Sequence, residues 1–346
     1  MSHKILVTAP SLAPSGLAAL RRRGCDIRFV EDLGDVAGLA RVLATEPIDA
    51  VISRTMPIDA AMLRACPSLK VISKHGTGVS NIDVDAASAE GVAVFSTPGA
   101  NAAAVAEFTI GLMIAAIRRL PRFDRSVRAG SWARQGDGGE LGGRTLGLVG
   151  FGRIARQVAR VARALDMRVV VSDPYIDLAR VAGQGVEFYP SLAAMLPECA
   201  VLSLHCPATR GAPPLLDAEM LSLLPRGAVV VNTARGELID EAALAAALAS
   251  GALGAAGLDT FAAEPLGASP LRAIETAVLT PHVAGSTTDA LAKMAEGAAA
   301  NVLDYLAALE AGPAALAALR ERCLNPEIFA RAPRGAGRSD AGQAMA

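Results

Sequence analysis

The sequence predicts an α/β protein made of two doubly wound parallel-sheet domains. Three observations carry that expectation. Short apolar runs alternate with helical stretches in two separate series. The segment Gly147-Leu148-Val149-Gly150-Phe151-Gly152 lies between strand-like and helix-like sequence. Arg235, Glu264 and His282 each follow an apolar run, which places them at the carboxyl edge of a parallel sheet, where open α/β sheets bind ligands.

The first series expects strands at 5–7, 27–30, 50–52, 71–72 and 92–95, with helices at 14–23 and 36–44 between the early strands. The second expects strands at 145–149, 168–171, 201–204, 228–231, 255–258 and 277–279. Between the two lies a helix over 101–120, with Asn101 as N-cap and Pro121 as its stop. A last helix over 289–309 follows the second series and is expected to cross back to the first domain. The tail from 331 to 346 is Gly, Ala and Arg with little apolar content, so disorder is expected there.

At 346 residues the chain is too long for one ordinary domain and comfortable for two. Apolar residues make up 52% but aromatics only 3%, so the cores must be built from Ala, Val, Leu and Ile, which suits buried parallel strands under Ala-rich helices. A formal net charge of −1 gives no electrostatic reason to expect nucleic acid or an anionic membrane as partner. The densest basic run, Arg21-Arg22-Arg23, suits the exposed C-terminal end of a helix. Five cysteines form no Cys-x-x-Cys pair, which fits free thiols in a reducing compartment and offers no metal-ligand framework. The first residues read as a strand and not as a signal peptide, and the longest apolar stretch, 108–117, is too short to span a bilayer. A cytoplasmic location is expected.

Gly150 and Gly152 would let the backbone turn tightly and approach a pyrophosphate at a helix N-terminus, here begun by Arg153 and Ile154. Asp173, 21 residues past Gly152 at the end of the next strand, is where a carboxylate binds ribose hydroxyls. Together these predict a dinucleotide site with NAD as the cofactor, because a carboxylate repels a 2′-phosphate. The three residues singled out above supply the chemistry. An Arg forks onto a carboxylate and a carbonyl oxygen, a His moves a proton, and a Glu holds that His.

The order of these blocks resembles one family. From Ser53 to about Leu309 the chain is similar to the D-isomer-specific 2-hydroxyacid dehydrogenases, on the phosphoglycerate dehydrogenase and hydroxypyruvate reductase branch. The blocks are Lys74-His75-Gly76-Thr77-Gly78, Thr97-Pro98-Gly99-Ala100-Asn101, the glycine segment, His205-Cys206-Pro207, Asn232-Thr233-Ala234-Arg235-Gly236, Gly257-Leu258-Asp259, Glu264-Pro265 and His282-Val283-Ala284-Gly285. The resemblance implies a Rossmann cofactor domain (101–288) inserted in a flavodoxin-like substrate domain (1–100, completed by 289–330).

It also implies roles. Arg235, Glu264 and His282 are the catalytic residues, and hydride passes between a nicotinamide and a small D-2-hydroxy acid. Cys206, Pro207, Thr233, Ala234, Arg235, Asp259, His282 and Gly285 join the glycine segment in contacting cofactor, Asp259 near the nicotinamide carboxamide. Backbone N–H groups of Gly76, Thr77 and Gly78 receive the substrate carboxylate. From their places at strand ends, and not from the resemblance, Arg54 and Lys74 either add cations that favour a substrate with a second anionic group or are surface groups, Arg54 paired with a carboxylate and Lys74 solvated. His75 either lines the pocket or makes a structural hydrogen bond. A homodimer is implied as well, by the 108–117 run and the Arg-rich, Trp132-containing segment after it. The same family includes dinucleotide-sensing transcriptional corepressors, which is the alternative reading. Ser80, where the family often has an acidic residue, and Ala212-Pro213-Pro214 depart from the family pattern.

Overall fold

A computed structural model describes residues 2–132, 134, 136–177, 181, 183–209 and 211–330. The tail expected to be disordered lies outside these residues. The chain divides into two compact units, one of Met1–Asn101 with the chain from Thr288 onward, the other of Ala102–Thr287.

The first unit is built on β1 (Lys4–Val7), β2 (Asp26–Phe29), β3 (Ala50–Ser53), β4 (Val71–Lys74) and β5 (Ala93–Phe95). All pairings are parallel and the order is β2-β1-β3-β4-β5, the flavodoxin-like arrangement. Side chains alternate between two buried layers. Ile5, Val7, Ile52 and Phe95 face the helices Pro14–Arg22 and Thr288–Ala311, whereas Leu6, Val51, Ile72 and Val94 face Leu39, Leu43, Leu63 and Ala87. Asp35, Asp59 and Asp83 start the three helices on that second side by accepting backbone N–H bonds from Gly38, Met62 and Ala86.

The helix Thr288–Ala311 packs on this first sheet, presenting Ala295, Ala298, Ala299 and Val302 to it. Small residues let it come close, and a Cβ on Gly16 would sit 2.6 Å from the Ala295 carbonyl oxygen. Past it, Leu324 N–H donates to the Val94 carbonyl and the buried Asn325 carboxamide serves Val94 N–H and Val92 O. The free edge of β5 is thereby covered.

The second unit carries β6 (Thr145–Val149), β7 (Arg168–Ser172), β8 (Glu187–Phe188), β9 (Val201–Leu204), β10 (Ala228–Asn232), β11 (Leu253–Leu258) and β12 (Ala277–Leu279). The order β12-β11-β10-β9-β6-β7-β8, again all parallel, is that of a Rossmann sheet with one strand added. Helices Ala102–Ile117 and Arg153–Ala164 cover one face, and Glu241–Ala249 covers the other with shorter helices. The expected strands all form. The exception in the other direction is β8, a two-residue exposed edge strand too short to leave a period-two pattern.

Two expectations about the segment between the sheets are corrected. The helix ends at Ile117, the backbone reverses through Arg119 at φ 56°, and Pro121 begins a new helix, Leu120–Arg128, instead of stopping the old one. Proline suits a first turn because the N–H it lacks has no partner there. The apolar run at 108–117 is also no exposed patch. Leu112, Met113, Ala116 and Ile117 are core, and a Cβ on Gly257 of β11 would lie 2.6 Å from Leu112 Cγ. The exposed apolar side chains follow it instead, Leu120 at 49%, Val127 at 53% and Trp132 at 79%. Among the described residues, no helix is long and apolar enough to cross a membrane.

Candidate active site

In the second unit the strand order reverses between β6 and β9. The loops leaving these two strands are therefore neighbours. One is Gly150-Phe151-Gly152, the other His205-Cys206-Pro207. Gly150 has φ 87°, and a Cβ there would lie 2.9 Å from the His205 carbonyl oxygen, so the turn accepts no side chain. Gly152 is the N-cap of Arg153–Ala164, nothing lies within 4 Å of where its Cβ would be, and Arg153 is exposed beside it. An open glycine turn ending at a helix N-terminus is a cradle for phosphate oxygens.

Asp173 follows β7. Its Oδ2 accepts from Phe151 N–H at 2.8 Å and its Oδ1 from Tyr175 N–H at 2.9 Å. The carboxylate thus ties the glycine turn to the neighbouring strand end, a tether that spacing alone did not reveal. Cys206 is half-buried beside it. Burial pushes its thiol up, a backbone hydrogen bond opposes this, and the Asp173 charge adds to the rise. That leaves a neutral, packing thiol.

The next strands in the same direction carry Arg235, Glu264 and His282. After β10, Asn232 folds its loop by accepting Ala234 N–H (2.9 Å) and donating Nδ2–H to the Arg235 carbonyl (2.7 Å). Arg235 is half-buried, its Nη1 donates to the Ala234 carbonyl at 2.6 Å, and no carboxylate pairs with it among the described residues. A Cβ on Gly236 would fall 1.8 Å from the Phe261 carbonyl carbon, so this loop lies directly against the one that bears Glu264. Thr233 is buried and its hydroxyl meets that of Thr109 at 2.8 Å.

Glu264 Oε1 accepts Phe261 N–H at 3.0 Å, which fixes the carboxylate, and Oε2 lies 2.8 Å from His282 Nδ1. The carboxylate holds the proton on Nδ1 and leaves Nε2 as the outward nitrogen. His282 itself sits at φ 54°, a left-handed conformation uncommon for a residue that carries a Cβ.

What holds it there is Asp259, which is fully buried. Its carbonyl accepts His282 N–H (2.8 Å), Oδ1 accepts Thr280 Oγ1–H (2.6 Å) and Val283 N–H (2.9 Å), and Oδ2 accepts Ala284 N–H (2.9 Å). The carboxylate expected beside a nicotinamide is saturated by the Thr280–Ala284 turn, so its visible work is to bracket His282. Gly285 follows that turn, half-buried.

The remaining sequence-predicted residues belong to the first unit. Arg54 leaves β3 at the switch point between β1 and β3, with its N–H on Thr8 Oγ1 at 2.8 Å. Burial lowers its pKa, and no carboxylate pairs with it among the described residues. Lys74 reaches back to Asn81 Oδ1 at 2.5 Å and to the Arg54 carbonyl, so it buttresses the Arg54 turn. Gly76, at φ 141°, has its N–H on Thr97 Oγ1 at 3.0 Å. The N–H groups of Thr77 and Gly78 have no partner among the described residues. His75 is buried with Nε2 on the Leu291 carbonyl at 3.2 Å. Burial first, then the Arg54 charge, pushes it down to about 4, so it is neutral and structural.

A family model described as the NAD-binding domain of D-isomer specific 2-hydroxyacid dehydrogenases matches residues 110–284. The chain is 41% identical over 293 residues to the D-3-phosphoglycerate dehydrogenase of Mycobacterium tuberculosis, covering 84% of this chain and 54% of that one. It is 40% identical over 269 residues to the (S)-sulfolactate dehydrogenase of Chromohalobacter salexigens, covering 77% and 86%. A solved NADPH-dependent glyoxylate/hydroxypyruvate reductase of Sinorhizobium meliloti, in complex with NADP and malonate, superposes with TM-score 0.78 at 28% identity over 88% of this chain and 94% of that chain. The chain spans about half the length of the phosphoglycerate relatives it matches. With the glycine turn, the tethered Asp173 and the Arg235, Glu264 and His282 loops in place, these matches show that the chain belongs to the D-isomer specific 2-hydroxyacid dehydrogenase family.

Proposed function

We propose that the protein is an oxidoreductase that interconverts a small D-2-hydroxy acid and its 2-keto acid with NAD. The observation that carries this is the 2.8 Å contact between His282 Nδ1 and Glu264 Oε2, beside an Arg235 that pairs with no carboxylate among the described residues. The residues around Gly150 fit a dinucleotide, because the turn is open only to a side-chain-free backbone. When bound, the nicotinamide supplies or accepts the hydride. The chain's own residues do the rest. Arg235 forks its guanidinium onto the carboxylate of the acid and orients the carbonyl. His282 donates the Nε2 proton to that oxygen as negative charge develops during reduction, and takes it back during oxidation. Glu264 holds the proton on Nδ1, which leaves Nε2 as the nitrogen that gives the proton in reduction and takes it back in oxidation.

The two relatives act, by name, on phosphoglycerate and sulfolactate, three-carbon acids with a phosphate or sulfonate remote from the carboxylate. Arg54 suits such a group, because a partly buried guanidinium without a carboxylate partner is stabilised when an anion docks. We therefore favour a substrate with a second anionic group over hydroxypyruvate or glyoxylate. The units of Met1–Asn101 with the last helix and of Ala102–Thr287 then act as substrate and cofactor domains. We also infer a homodimer, on the strength of the exposed Leu120, Val127 and Trp132.

Four outcomes test this reading. Steady-state kinetics should show His282→Ala losing roughly 10²–10⁴-fold in kcat with NADH affinity nearly intact. Glu264→Gln should cost less than His282→Ala, because the amide oxygen can still accept from Nδ1. Wild-type activity in His282→Ala would assign the proton to another group.

The second outcome concerns the cofactor. Catalytic efficiency should be higher with NADH than with NADPH, because Asp173 repels a 2′-phosphate and Pro174-Tyr175-Ile176 offers no Arg. Asp173→Ala should narrow the gap and also weaken NADH binding, having released the Phe151 tether. Equal or better efficiency with NADPH would overturn the assignment.

For the substrate, Arg54→Ala should raise KM for 3-phosphoglycerate or sulfolactate at least about tenfold more than for hydroxypyruvate, the cost of about one charge-assisted hydrogen bond. An equal effect on both returns the small unphosphorylated acids as substrates, and absence of turnover with the whole panel favours a dinucleotide-sensing role. Finally, light scattering at micromolar concentration should give twice the monomer mass, and a monomer mass excludes the dimer.

A further inference from the structure

The loop that carries Arg235 is anchored to a helix that takes no part in the chemistry. Thr109 lies in the middle of Ala102–Ile117 and is fully buried. Its Oγ1 is 2.7 Å from the Val105 carbonyl oxygen and 2.8 Å from Thr233 Oγ1. A carbonyl only accepts, and a hydroxyl has one proton. The Thr109 proton therefore goes to Val105, and in the second contact Thr233 must be the donor. The direction of the pair follows from this bookkeeping of protons.

The consequence reaches the guanidinium through two residues. Thr233 has both its rotamer and its hydroxyl orientation set by Thr109. The next residue, Ala234, receives Arg235 Nη1–H at 2.6 Å on its carbonyl and gives its N–H to Asn232 at 2.9 Å. The Asn232 side-chain bonds are internal to the turn and move with it. The Thr109 hydroxyl is a fixed point outside the turn, on a helix whose neighbour Leu112 already packs where Gly257 leaves room in β11.

We propose that Thr109 is a positioning residue, its hydroxyl holding Thr233 and through it the loop that aims Arg235. The inference rests on the reading of Arg235 as the carboxylate clamp. Thr109→Val keeps shape and volume but leaves the buried Thr233 proton without an acceptor, so Thr233 must turn to find one. Losing a buried hydrogen-bond partner in this way corresponds to about a tenfold effect.

Two measurements on the full chain decide it. Hydrogen exchange by mass spectrometry, without any ligand, should show Thr109→Val exchanging faster over 232–238 while the core of β10 stays protected. In kinetics with a panel of 2-keto acids, each varied at saturating NADH and NADH then varied at saturating keto acid, the same variant should raise KM for the keto acid about tenfold, with the KM for NADH changed far less. Thr109→Ser, which keeps the hydroxyl, should restore both. Unchanged exchange over 232–238, or a lowered melting temperature with exchange and KM as in wild type, would overturn the proposal. If Thr109→Val does not fold, Thr233→Val removes the same bond from the loop side and is read by the same exchange. A wild-type chain that turns over no keto acid would refute the clamp reading, while the exchange measurement would still decide the role of Thr109.

Discussion

The buried carboxylate of Asp259 is the interaction on which the placement of His282 depends. A charge with no solvent exposure is tolerable only when hydrogen bonds replace its water. Asp259 takes three, from Thr280 Oγ1, Val283 N and Ala284 N, and its backbone carbonyl takes a fourth from His282 N. These bonds close a turn in which His282 occupies a left-handed conformation that isolated L-residues avoid. The strain is stored because the turn around it is over-determined. The imidazole is thereby presented to Glu264 at 2.8 Å by a turn that Asp259 clamps just past the end of β12.

The same logic of strand ends organises the second unit. Its strands are parallel and short, and the carboxyl ends of all but the edge strand β8 carry, in sheet order, the His282 turn, Asp259, the Arg235 loop, Cys206, the glycine turn and Asp173. Each loop is tied to its neighbour by a specific contact: Asp173 to Phe151, Gly150 against His205, Gly236 against Phe261 and Asp259 to the turn after β12. Glycine appears where a backbone must approach within van der Waals contact, which a Cβ would forbid. A buried parallel sheet under Ala-rich helices gives these loops a stiff base, and polar anchors then fix where each functional atom points.

In the first unit, electrostatics separates roles that residue type does not. Arg54 and Lys74 are both cations at strand ends, yet Lys74 is tied to Asn81 and to the Arg54 carbonyl whereas the Arg54 guanidinium has no carboxylate partner among the described residues. His75 is held neutral by burial and by the Arg54 charge, so it adds no third positive charge. One guanidinium backed by a lysine is the arrangement the substrate proposal uses.

The fold was largely legible in the sequence because period-two and period-3.6 patterns are local, and both sheets are made of strands that each carry enough apolar residues to be seen. The dinucleotide turn, Asp173 and the order of Arg235, Glu264 and His282 were legible for the same reason, as fixed residue types at fixed distances from strand ends. What the sequence did not determine depends on contacts between residues far apart in the chain. The two-residue β8 exists because β7 offers it an edge. Pro121 opens a helix because Arg119 reverses the chain before it. Asp259 brackets His282 across 23 residues, and Thr109 reaches Thr233 across 124. Residue identity names which groups can donate, accept or carry charge, and only the tertiary structure decides which of those groups are already taken and which remain for a substrate.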